Sequence, residues 1–292
     1  MTAPVLADTL GPRARRRVLL ASLTTGAVLL VALVLAVRKL DANGQLDSAK
    51  WRPLTQWSVL KFFLGGLGNT IRAAGTAMVF AVTIAAVLAL ARLARTRALR
   101  WPATLYVEFF RGLPLYILIL FSWLGLPILG LKWETFWYLV LGLTVYNSAV
   151  LAEIFRAGIL SLDKGQSEAA YAVGLGYWQA MATVIVPQAV RRMVPAIVSQ
   201  LVTLLKDTSL GVVIFYEELL RRARISAEFF QNPVHSVLLV ALIYIAVNAT
   251  LSQVATRLEA RQRRRYGAAP IAVAGVEDLA VTSAKAGATG AA

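Results

Sequence analysis

Few residues in this 292-residue chain could do covalent chemistry. It has no cysteine and a single histidine, His235, so disulfides and the usual Cys/His sites for zinc, haem or iron–sulfur clusters are not expected. Neither a G-x-x-x-x-G-K-S/T nor a G-x-G-x-x-G stretch is present to cradle a phosphate. What remains is electrostatic. Lys206, Asp207, Thr208 and Ser209 fall inside a long apolar stretch, as do Asn147 and Glu153, while Arg111 stands just before another. Lys206 and Asp207 lie roughly 16–18 Å along a helix from Pro195, close to mid-bilayer. A charge there costs about 3 kcal/mol or more on insertion scales, so it faces a partner or a wet cavity. Neighbours in a helix point about 100° apart, so each of the two needs its own partner. The segment either lines a translocation pathway or gate, or makes a structural polar contact at a subunit interface. Glu153 and Arg156 are three apart and can pair along one helix face, as a structural pair or at a binding site. His235 reads as an interfacial residue at the outer end of the last span.

A second set of residues could grip a partner. The stretch "EAAYAVGLGYWQAMATVIVPQ" (168–188) opens on a carboxylate, breaks at glycines and ends at a proline. Asp163 with Gln166 three residues on suggests a capping box. Gly174 stands where a helix needs a left-handed residue after its C-cap. Tyr177, Met181 and Val184 recur at helical spacing as an apolar stripe, and Pro187 interrupts the hydrogen-bond ladder. Two short helices joined by a glycine elbow would form a knob for an apolar groove on another protein. The other reading is a helix lying on the membrane surface, although no Lys or Arg follows Lys164 until Arg191.

The elements that must position these residues are spans. With 58% hydrophobic and 15% charged residues, the chain departs from soluble composition, and it reads as an all-α integral membrane protein. Six stretches reach the 20 or so residues a span takes, near Val18–Val37, Thr70–Ala91, Pro114–Leu131, Phe136–Phe155, Met193–Tyr216 and Val234–Val254. The first, preceded by "RARRR", is too long for a signal-peptide core and reads as a retained anchor. Basic clusters at 13–17, 91–100 and 259–265 place both termini in the cytoplasm. Arg38, Lys39, Arg221, Arg222 and Arg224 then fall outside, against the tendency. The formal charge of +15 reads as orientation across the bilayer, not nucleic-acid binding. Three segments are expected: 1–64, the basic N-terminus, anchor and outer interfacial piece; 65–255, the membrane domain; and 256–292, a basic, then Ala/Gly-rich disordered tail.

The 168–188 stretch matches a specific signature. E-A-A-x3-G-x9-I-x-L-P is that of the permease subunits of ABC importers, and Glu168, Ala169, Ala170, Gly174, Val184 and Pro187 occupy its places, with Val184 for Ile and Val186 for Leu. "VEFFRGLPLYILILF" (107–121), "YNSAVLAEIFRAGI" (146–159), "PQAVRRMVPA" (187–196) and "LLKDTSL" (204–210) resemble the polar amino acid branch, which more often has threonine where Leu113 stands. "NGQLDSAKW" (43–51) after an added first span is similar to the actinobacterial glutamate-uptake permeases.

The resemblance implies a type I importer permease fold of about six transmembrane helices with a cytoplasmic coupling-helix loop at 160–188. Glu168 would anchor the docked loop and Gly174 allow its elbow. Partners would be a dimer of ABC ATPase subunits, a second permease more often a different chain, an extracytoplasmic amino-acid-binding protein and the lipid bilayer of a bacterial cell membrane. ATP and Mg would sit on the partner ATPase; this chain would bind no cofactor and catalyse no reaction. For an acidic substrate, most expectedly glutamate, Lys206 and Arg111 are the cationic candidates. The competing class is an ion-coupled secondary transporter relaying through Lys206, Asp207 and Glu153, although no internal repeat accompanies it.

Overall fold

A computed structural model describes residues 11–266, and the expected tail beyond Tyr266 lies outside them. Among the described residues the regular structure is helical throughout. The chain divides into two compact units.

The first unit takes residues up to Phe63 together with Ala223–Leu239. Helix α1 (Pro12–Ala42) is 31 residues long and buries none of them, as an anchor in lipid would. Two short 3-10 turns (Ser48–Lys50 and Arg52–Thr55) follow. His235, expected at the outer end of the last span, is buried, with the Trp51 ring edge-on at 4.6 Å. The Asn232 amide donates to Lys50 O at 3.1 Å beside it.

The second unit takes Leu64–Arg222 and the chain from Val240 onward. Its core is built on helix α2 (Trp57–Leu93), where Ala73, Ala77, Ala81, Ala85 and Ala89 recur every fourth residue and are buried. In lipid, apolar side chains gain little by meeting one another, so small residues that let backbones approach hold helices together. Helix α5 (Thr135–Leu160) is the most buried of the spans. It contacts α3 (Arg97–Gly112), α4 (Leu115–Ile128) and α8 (Val186–Asp207). A Cβ on Gly142 would stand 3.0 Å from Ile119 Cα, so glycine is what lets α4 come this near α5.

Two expected spans take a different form. The stretch expected as Pro114–Leu131 is helix α4 alone, which the preceding helix α3 meets at a 100° bend. Pro114 pushes Leu113 out of the helical region, and Leu113 is extended at ψ 138°. Alone, α4 reaches only about 21 Å, short of a bilayer. Among the described residues five helices can cross by length and composition, or six if the bent pair counts as one span.

The fifth expected span begins earlier than Met193. Helix α7 (Tyr177–Ala180), a π turn (Met181–Ile185) and α8 form one helical run into the 3-10 turn Thr208–Ile214. Pro187 therefore does not end the run. The π turn, in which Val186 N–H bonds Met181 O, shifts the ladder just before the residue that cannot donate.

Candidate functional site: the 160–192 loop and the Glu153 cluster

Helix α6 (Lys164–Ala172) starts at Asp163, whose carboxylate accepts the Gly165 N–H at 2.7 Å. The reach-back of a capping box is not made there. Gln166 Oε1 instead accepts the Gln188 amide at 3.0 Å. Helix α6 ends in a Schellman arrangement, with Gly174 N–H on Tyr171 O and Leu175 N–H on Ala170 O. Gly174 has φ +86°, and a Cβ there would touch nothing within 4 Å. Conformation, not space, demands glycine.

The elbow divides the signature residues. Glu168 and Ala169 are exposed, and among the described residues Glu168 makes no hydrogen bond or ion pair. Tyr171, Val173 and Trp178 are exposed beside them. Ala170 is buried, Val184 is half-buried against the core and Pro187 is exposed. The stripe of Tyr177, Met181 and Val184 thus faces the chain's own core. The exposed face is the other one, a carboxylate set among alanine, valine and aromatic surface.

Above the loop lies a cluster of charges. Glu153 takes Arg92 Nη1 at 2.5 Å, Arg156 Nη2 at 2.5 Å and Arg111 Nη1 at 3.9 Å. Arg92 also meets Glu108 at 3.3 Å. Three arginines against two carboxylates leave cationic excess, and Arg111 holds the longest contact and is 41% exposed. Arg92 and Glu108 escape sequence reasoning because each lies on a different helix from Glu153, and spacing along a chain reports only pairs within one helix.

Asn147 is fully buried. Its amide donates to Leu143 O and its Oδ1 accepts Gln200 Nε2 at 2.8 Å, joining α5 to α8. Gln200 carries no sequence signal beyond being polar in an apolar run. Lys206 is exposed and Asp207 half-buried; among the described residues neither forms an ion pair. Lys206 opens onto a groove of about 310 Å³ between α8 and α10 (Pro233–Tyr266), lined also by Ser199, Thr203, Ser252 and Thr256. Thr208 is buried and turns its hydroxyl to Leu205 O at 2.7 Å, while Ser209 is half-buried. The structure thus gathers Arg111 and Glu153 at one place and Asn147 at another, and leaves Lys206 and Asp207 apart from both.

Two of the arginines that ran against the charge tendency are held in local structure. Arg222 pairs with Glu217 at 3.4 Å and Arg221 lies 5.2 Å from the Phe215 ring centroid. They are not free loop charges of the kind that tendency counts. Beside them Glu218, also missed, is fully buried. It accepts the N–H groups of Leu220 at 2.7 Å and Arg221 at 2.6 Å, and the Tyr244 hydroxyl at 2.9 Å.

The fold and this loop define a multi-pass helical membrane protein with a folded elbow, exposed on one face, between two spans. The sequence profile of the family described as "Binding-protein-dependent transport system inner membrane component" matches residues 81–264. The chain belongs to that family. It is 39% identical over 230 residues to the glutamate transport system permease protein GluD of Corynebacterium glutamicum, covering 77% of this chain and 84% of that protein. It is 42% identical over 210 residues to the probable glutamine ABC transporter permease protein GlnP of Bacillus subtilis, covering 70% and 94%. Among solved structures, "an amino acid ABC transporter with histidines" superposes with a TM-score of 0.68 at 30% identity, covering 71% of this chain and 97% of the other. The chain is a permease subunit of an amino-acid ABC importer with the type I permease fold, which sets aside the ion-coupled secondary transporter.

Proposed function

We propose that this chain forms half of the translocation pathway of a glutamate importer and takes its drive through the 160–188 loop. The observation that carries this is the outward face of α6 and the elbow, where Glu168 stands unengaged beside exposed Tyr171, Val173 and Trp178. An exposed carboxylate ringed by apolar surface suits a cleft on a separate ATPase. Closure of an ATPase dimer on ATP and Mg would move the two elbows and rock the spans between inward- and outward-facing states. A second permease, more often a different chain, completes the pathway, and an extracytoplasmic binding protein loads it. Residues 65–255 form the transport domain, and both termini lie on the cytoplasmic side of a bacterial cell membrane.

Glutamate is favoured over glutamine by the relative that matches over the longer stretch and by cationic groups with spare capacity. These are Arg111, at the edge of the Glu153 cluster, and Lys206, in its hydroxyl-lined groove. The test is co-purification in mild detergent with the candidate ATPase. Wild type should retain it, while Glu168→Lys and Gly174→Leu insert normally and lose it. A wild type that purifies alone overturns the docking role. Competition for uptake by unlabelled glutamate and glutamine then decides the substrate.

A further inference from the structure

The helical run that carries the loop into α8 touches both α5 and the end of α2. Arg192 and Met193, near the start of α8, tie to the α5 end: Arg192 Nη1 donates to Ser161 O at 2.9 Å, and Met193 lies against Gly158, where a Cβ would force its side chain aside. Toward α2 the tie is made by Tyr177. Tyr177 turns its hydroxyl to the carbonyl of Leu93, the last residue of α2, at 3.0 Å. Arg95 sets its guanidinium 5.2 Å from the centroid of the same ring. The carbonyls of a helix's last turn lack partners within the helix, so this hydroxyl satisfies an end that would otherwise need water.

The next residue back along α2 is Arg92, which holds Glu153 at 2.5 Å and Glu108 at 3.3 Å. The contacts therefore run from the elbow through Tyr177 to the α2 end, and from Arg92 to the middle of α5. Glu153 also has Arg156 at 2.5 Å and Arg111 at 3.9 Å. If Arg92 shifts, Glu153 need not stand unpaired, because Arg111 can close in. An exchange of partners between two discrete arrangements is the kind of element that switches.

We propose that Tyr177 is a positioning residue that carries displacement of the docked loop to the end of α2, and so decides whether Arg92 or Arg111 is Glu153's close partner at the inner end of the pathway. This rests on the 160–188 loop being the ATPase dock.

The test uses the whole importer in proteoliposomes, with its ATPase subunits and binding protein, comparing wild type with Tyr177→Phe. The ring and its stacking remain and only the hydroxyl goes. The variant should keep its ATPase on co-purification and still hydrolyse ATP, while amino acid moved per ATP falls by up to about tenfold, the scale of one neutral hydrogen bond. The chain has no native cysteine, so spin labels at Lys164→Cys and at Val87→Cys, an exposed position on α2, report the loop-to-α2 distance directly. On ATP addition that distance should hold in wild type and spread in Tyr177→Phe. An unchanged transport-to-hydrolysis ratio overturns the proposal, as does a distance that behaves alike in both. If Tyr177→Phe loses the ATPase that wild type holds, Tyr177 belongs to the dock and the transmission role is wrong. If wild type itself holds none, the docking role has failed first and takes this one with it.

Discussion

Glu168 and Glu218 are carboxylates near the two ends of one segment, and they are finished in opposite ways. Glu168 stands exposed, and among the described residues its carboxylate makes no hydrogen bond or ion pair. Glu218 has no exposed surface and receives two backbone N–H groups and the Tyr244 hydroxyl. Around Glu218 the backbone is drawn in further. Leu219 N–H bonds Thr70 Oγ1 at 3.2 Å, the Asn69 amide donates to Glu217 O at 2.9 Å, and the Tyr216 hydroxyl donates to Asn69 O at 3.1 Å. A Cβ on Gly66 would stand 3.1 Å from Leu219 Cα, so α2 comes this close only because that residue is glycine. A buried carboxylate must be satisfied by its own chain, since nothing else can reach it. An exposed one can be left for a partner. The 216–222 turn is complete in itself, whereas the 160–188 loop carries a carboxylate that no described residue pairs with, as the proposed docking role would leave it.

The difference can be broken most heavily at Glu218. Replacing it by Leu strands two N–H donors and a hydroxyl in a buried place, which should cost roughly 3 kcal/mol. In thermal unfolding of the detergent-solubilised chain the midpoint should drop by several degrees, with Glu218→Gln recovering part. A midpoint within a degree of wild type would mean the turn is not the closed knot that its hydrogen bonds describe.

Next in size is the elbow. A leucine at Gly174 must take φ +86°, a left-handed position that costs an L-residue about 1–2 kcal/mol. Because a Cβ meets nothing there, the strain stays local and the core should not feel it. Gly174→Asn, which tolerates the left-handed region better, should restore much of the ATPase retention that Gly174→Leu loses. Equal loss in both variants would point to shape at the surface, not backbone conformation.

A smaller effect belongs to the amide pair between α5 and α8. Asn147→Leu removes the acceptor of Gln200 Nε2. Hydrogen bonds between helices in membranes average about 0.6 kcal/mol, so the midpoint should move by only a degree or two. Transport should suffer more than stability if the pair borders the pathway. The ratio of the two effects, read from uptake and unfolding on the same preparation, separates a pathway residue from a packing one.

These regions were not equally legible in the sequence. The elbow was, because a left-handed glycine, an N-capping Asp163 and a run of small residues are local requirements that leave local marks. The spans were too, since apolar length is a local property. The expected third span began at Pro114, where the chain does bend, but α3 as the other arm of that bend was not read, because its apolar residues are interrupted by charges. Pro187 misled in the other direction, because a π turn upstream absorbs its missing donor. The Arg92, Glu108 and Glu153 cluster, the Asn147–Gln200 pair and the Tyr244 hydroxyl on Glu218 are contacts between elements distant along the chain. A carboxylate that will be buried looks, in sequence, like one that will be exposed.

Glu168 should therefore give the smallest effect of all on the chain by itself. Glu168→Gln removes a charge that no described residue contacts, and an exposed substitution away from caps and pairs shifts stability by about 0.5 kcal/mol at most. The midpoint of the isolated permease should be indistinguishable from wild type. The same change in the assembled importer should weaken ATPase retention, and weaken it further as salt is raised, because a charge-assisted contact has become a neutral one. Should Glu168→Gln instead lower the midpoint of the isolated chain, the carboxylate already has work within its own fold. The contrast with Glu218 would then be one of degree, and the exposed face of α6 would lose its strongest claim to be unfinished.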